Sequence, residues 1–135
     1  MNRPLLLLVP VLILLSCKPP LAPIEGQEIT RITVHPLQYG KLKGRKDALL
    51  SDRSEIRFVV KNLSSLKARG FEHSRPEFDL LLETSTGSLL KLRVSDSEVG
   101  PDAPASANNT HWFPRDSNAF KDFYDFLWQK TQPNP

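Results

Sequence analysis

The chain has one cysteine, Cys17, in 135 residues, so no disulfide can form within it and its stability has to come from packing. Its three histidines, His35, His73 and His111, are scattered, and none stands in the H-x-x-x-H, H-E-x-x-H or H-x-H spacing that turns two imidazoles onto one metal. There is no G-x-S-x-G elbow and no glycine loop of the kind that cradles phosphate. Long apolar runs are missing too. The longest, residues 5–15, is interrupted by Pro10, and a helix needs about 20 apolar residues to cross the hydrocarbon core. These lacks set aside thiol, zinc and nucleotide chemistry, and they leave no nucleophile or metal set in view. A pair of carboxylates meeting in space stays open, as glycan hydrolysis would need.

What is present begins at the amino terminus. Met1-Asn2-Arg3 is cationic, residues 5–15 are apolar, and the run closes on Leu14-Leu15-Ser16-Cys17 before the proline-rich Lys18-Pro19-Pro20-Leu21-Ala22-Pro23. A cationic start, an apolar core and a small residue at its end form the layout of an export signal. The stretch resembles a bacterial lipoprotein signal peptide, with Leu14-Leu15-Ser16-Cys17 as the lipobox. That resemblance covers the first seventeen residues and no family is recognised for the rest. It implies removal of residues 1–16 and acylation of Cys17. The odd thiol would then be consumed as a thioether, and several acyl chains would anchor the protein durably where one would be marginal. By the same resemblance to enterobacteria-like lipoproteins, Lys18 rather than Asp after the cysteine implies the outer membrane, facing the periplasm. Residues 17–27 read as a lipidated, proline-rich tether, residues 28–130 as one domain, and residues 131–135 as a tail.

The formal net charge of +3 falls to +2 once Arg3 is removed with residues 1–16, but the charge is unevenly placed. From residue 41 to residue 75 ten basic residues face four acidic ones, and from residue 76 onward five face nine. Lys41, Lys43, Arg45 and Lys46 lie in a stretch without periodicity, which reads as a loop. Arg53, Arg57 and Lys61 recur at intervals of four along a helix. Clustered cations beside a membrane suit anionic lipid phosphate or a protein partner. Only Tyr39 interleaves them with an aromatic ring, so nucleic acid is not an expected partner.

The element pattern predicts a strand over residues 28–35, whose alternation slips between Ile29 and Ile32 and which Pro36 ends or confines to an edge. A helix follows, capped by Asp52 with Glu55 in capping-box spacing. Its stripe is Ile56, Val59, Val60, Leu63 and Leu66, and Gly70 is its stop. Residues 78–84 and 88–94 alternate as a hairpin around Gly87. Asp79 and Glu83 are set to face Lys91 and Arg93, and the three leucines at 80–82 suggest cover on both faces. Residues 95–109 read as a long loop, His111-Trp112-Phe113 as a short last strand, and residues from Asp116 or Ser117 as a helix facing inward with Phe120, Phe123, Tyr124 and Leu127. The expected fold is α+β, a small sheet of about four strands with two helices on one face, in the order β-α-β-β-β-α.

The expected function is a non-catalytic interaction module in the periplasm, an accessory, inhibitor or immunity-type protein that needs no cofactor. Its candidate contact residues are Lys41, Lys43, Arg45, Lys46, Arg53, Arg57, Lys61, Trp112 and Trp128. The alternative is a binder of lipid or peptidoglycan fragments whose pocket wall would be the aromatic carboxyl-terminal region, Trp112, Phe113 and Trp128. Seven of the eleven aromatic residues lie in residues 112–128.

Overall fold

The computed structural model describes residues 24, 28–69, 74–101 and 111–133. The lipobox, most of the tether, Gly70, His73 and most of the loop expected at 95–109 lie outside the described residues. The described part is built on one sheet of seven antiparallel strands, not four. The strands are β1 (Ile29–Pro36), β2 (Ala48–Leu50), β3 (Lys67–Arg69), β4 (Phe78–Thr84), β5 (Leu89–Val94), β6 (Val99–Pro101) and β7 (His111–Phe113), in spatial order β2-β1-β4-β5-β6-β7-β3. The helices are α1 (Arg53–Ser64) and α2 (Ser117–Lys130), with a 3-10 turn at Gly40–Leu42. The expected order β-α-β-β-β-α is therefore wrong. Three three-residue strands, β2, β3 and β6, were hidden in segments that show no period of their own. Each is held by the ladder of a neighbouring strand: β2 by β1, β3 by β7, and β6 by β5.

The hairpin of β4 and β5 is the centre of the sheet. Leu80 lies opposite Leu92 and Phe78 opposite Val94, while across the other side Leu80 meets Val34 and Leu82 meets Ile32. Residues directly opposite share a face, so these side chains form one apolar layer. Gly87 carries φ +88° in the turn, a conformation that a side chain would strain. The slip of alternation near Ile29 is a bulge, because the register of β1 against β4 shifts between Ile29 and Arg31.

Asp52 caps α1 by accepting from the amides of Ser54 and Glu55, and Asp116 caps α2 in the same way. Val59 and Leu63 of α1 and Phe123 and Leu127 of α2 are fully buried in the same cluster as Ile32, Val34, Leu80 and Leu82. Phe58 of α1 meets Phe126 of α2 at 4.9 Å between ring centroids. The two helices thus lie side by side on one face of the sheet. α1 stops at Ser64, short of Gly70, because Leu66 is drawn into the core and residues from Lys67 pair with β7. Thr131, at the start of the expected tail, is also fully buried. It donates to the Leu127 carbonyl, and its own carbonyl accepts from Lys46.

Over β2, β1, β4 and β5 no described helix covers the second face. Leu81 is half-buried there, so the run of leucines is covered fully on one side only. Further along, Gly100 leaves just enough room for the His111 ring, whose carbon would stand 2.5 Å from a β-carbon at that position.

Candidate functional site

Three places gather side chains that do more than fill the core. The first lies where the 3-10 turn meets the last turns of α2. Arg45 stacks its guanidinium 3.6 Å above the Trp128 ring, donates to the Trp128 carbonyl, and reaches the Thr131 hydroxyl at 3.3 Å. Lys41 stands 5.5 Å from the ring centres of both Tyr124 and Trp128 and 3.5 Å from the Glu77 carboxylate. Tyr124 donates its hydroxyl to Glu77, and Arg75 stacks 3.7 Å over Tyr39. Each cation faces an aromatic quadrupole, which attracts it more strongly as water is excluded. Burial holds Arg45 below its ordinary pKa. The basic loop is therefore partly an internal clamp, with Arg45 and Lys41 engaged by this chain's own helix, while the side chains of Lys43 and Lys46 stay exposed.

Tyr124 is titrated away from reactivity by this environment. Burial first, then the hydrogen bond and negative charge of Glu77, raise its pKa well above the ordinary 10.0. The neutral phenol is the favoured form, so it stabilises the fold fully below pH 10. That contribution is lost progressively as pH rises above 10 toward the raised folded value, because the unfolded chain releases its proton first. Tyr124→Phe is expected to flatten the alkaline limb of a stability–pH curve measured by urea unfolding. An unchanged limb would mean that another group governs it, and Tyr39, also raised chiefly by burial, is the next to test.

The second place is the sheet face that no described helix covers. Asp79, 7% exposed, lies between Lys91 and Arg93 at 3.6 Å from each. Glu83 pairs with Arg31 across β1 and β4, not with the β5 cations that its spacing suggests. His35 meets Asp47 at 2.6 Å. Among the described residues, Leu49 and Leu89, respectively 58% and 63% exposed, are the large apolar side chains left open to solvent. Both occupy register positions on this face, Leu49 opposite Thr33 and Leu89 opposite Glu83. Neither is singled out by the sequence pattern.

The third place is an open cleft of about 560 Å³ between the start of β1 and α1, lined by Glu28, Ile29, Thr30, Ser51, Arg53, Ile56, Arg57 and Val60. Arg53, Arg57 and Lys61 are exposed on α1.

The two tryptophans named as an aromatic wall are not brought together. Trp112 is buried on the helix side of the sheet, opposite Val99 and Ala68, in a strand far from the β1–β2 end where Arg45 covers Trp128. Phe113, the next residue along the same strand, points to the other face. Cys17 lies outside the described residues. Among the described residues no group of three or more His, Cys, Asp or Glu is placed to hold a metal ion, and no helix is long and apolar enough to cross a membrane. Comparison with known proteins yields no relative: no family model matches the chain, and neither the curated proteins nor the solved structures match it.

Proposed function

We propose that this chain is a small lipoprotein of the bacterial cell envelope, anchored through Cys17 in the periplasmic leaflet of the outer membrane. Its domain is a non-catalytic interaction module that binds a protein partner, as an accessory, inhibitor or immunity-type protein does. The observation that carries the reading is the face of β2, β1, β4 and β5 that no described helix covers, where Leu49 and Leu89 stand exposed among the Arg31–Glu83 and Asp79–Lys91–Arg93 groups. Apolar side chains rimmed by charged ones are the composition of a protein contact, with the charges setting orientation and the leucines supplying buried area. The anchor holds that face in the periplasm and the folded sheet keeps it rigid.

Photocrosslinking tests the proposal. A photoreactive residue at Leu49 or Leu89 is expected to give one discrete adduct in envelope preparations, and the same residue at exposed Asp122 on α2 none. Equal labelling at all three positions, or adducts at Asp122 alone, would remove the sheet face from the proposal.

A further inference from the structure

We infer that the cleft between β1 and α1 binds the phosphoethanolamine headgroup of a membrane lipid. Arg53 and Arg57 are four residues apart on α1, which puts their side chains side by side on one face of the helix. Neither has an ion-pair or hydrogen-bond partner among the described residues. Their neighbours are occupied: Glu55 pairs with Lys130, and Arg31 with Glu83. Two free guanidiniums above one cleft make the forked donor set that phosphate accepts. On the strand side stands Glu28, also exposed, whose carboxylate has no partner among the described residues. Its carboxylate repels a purely anionic headgroup and accepts from a primary ammonium. Ile29, Ile56 and Val60 supply apolar wall for the carbon chain that such a headgroup carries. The cleft thus reads phosphate on one wall and ammonium on the other. Choline, whose nitrogen bears no proton, cannot donate to Glu28.

The position of the cleft fits a lipid source, a step that rests on the proposed anchor at Cys17. Glu28 lines the cleft four residues after Ile24, the first described residue on the anchor side, whose side chain is buried in the core. The eleven residues from Cys17 to Glu28 reach at most about 40 Å in any conformation. A headgroup within that reach is at an effective concentration in the millimolar range, enough to fill a site too weak to matter in free solution.

The test uses the acylated full chain in nanodiscs of phosphatidylcholine, alone or mixed with phosphatidylethanolamine or phosphatidylglycerol. The Nε–H exchange rates of Arg53 and Arg57 are read by NMR. Phosphatidylethanolamine is expected to slow both rates about tenfold, and the Arg53→Gln/Arg57→Gln variant is expected to lose the chemical-shift changes that this lipid produces at Ile29 and Thr30. Glu28→Gln should abolish the preference over phosphatidylglycerol. Rates equal in all three lipids, or equal slowing by inorganic phosphate, would overturn the headgroup assignment. Slowing only on addition of an acidic peptide would assign the cleft to a protein ligand instead. Mass analysis of the Cys17 peptide reports the anchor separately. If Cys17 carries no acyl group the anchor reading fails, and soluble glycerophosphoethanolamine added to the unanchored chain must still slow the two arginines for the cleft to stand.

Discussion

Phe78→Ala is expected to cost about 3–5 kcal/mol of folding stability, the range for removing a fully buried aromatic side chain. Phe78 is completely buried at the start of the central strand β4. It stands opposite Pro36 of β1 and Val94 of β5, and its ring meets Tyr124 of α2 edge-on at 5.7 Å between centroids. One side chain therefore joins three strands to the carboxyl-terminal helix. Its loss leaves a cavity that the rigid hairpin cannot close, and it uncovers the Tyr124 ring beside Glu77. A domain of this size has a total stability of about 5–15 kcal/mol, so the variant is expected to unfold at markedly lower urea concentration. Leu49→Ala, on the exposed face, serves as the control, expected to change stability by less than about 1 kcal/mol. Similar midpoints for the two variants would mean that the layer around Phe78 is not the stabilising core.

The parts of this fold that were legible in the sequence are those whose signal is local. The β4–β5 hairpin shows its period over two strands and its turn at Gly87, and α1 shows both its cap at Asp52 and its apolar stripe. α2 shows the same through Asp116, Phe120, Phe123 and Leu127. A three-residue strand has no period to read. Ala48–Leu50, Lys67–Arg69 and Val99–Pro101 become strands because β1, β7 and β5 offer them open ladders, and that information lies elsewhere in the chain. The count of four strands failed for this reason.

The site was less legible, for a related cause. Arg45 and Trp128 are 83 residues apart, so nothing near Lys41-Leu42-Lys43-Gly44-Arg45-Lys46 reveals that two of its cations face an indole of the same chain. Trp112 and Phe113 looked like one aromatic wall because they are adjacent in sequence, yet adjacent strand residues point to opposite faces. Leu49 and Leu89 give no local signal, because an isolated leucine in a sequence carries no sign of whether it is covered. Arg53 and Arg57 were visible as a pair at helical spacing. What the spacing could not convey is the cleft beneath them or Glu28 across it, because the start of β1 reaches α1 only through the tertiary fold.

Cys17→Ala is expected to abolish membrane anchoring entirely while leaving the folded domain unchanged. The cysteine is the only one in the chain, and it stands eleven residues before Glu28 in sequence, outside the described residues. The sole role proposed for its thiol is thioether formation with diacylglycerol. Each methylene of an acyl chain contributes about 0.8 kcal/mol of membrane partitioning, so a multiply acylated amino terminus does not leave the bilayer on the timescale of a fractionation. Without the thiol, processing before residue 17 should fail. The variant should then retain residues 1–16 and run at a higher mass, and it should be absent from the outer-membrane fraction where the parent protein is expected. The urea midpoint of the domain is the independent check, and it should not move. Identical mature mass and identical fractionation for the two proteins would reject the lipid anchor. Recovery of the parent in the inner-membrane fraction would overturn the outer-membrane placement implied by Lys18 while keeping the anchor.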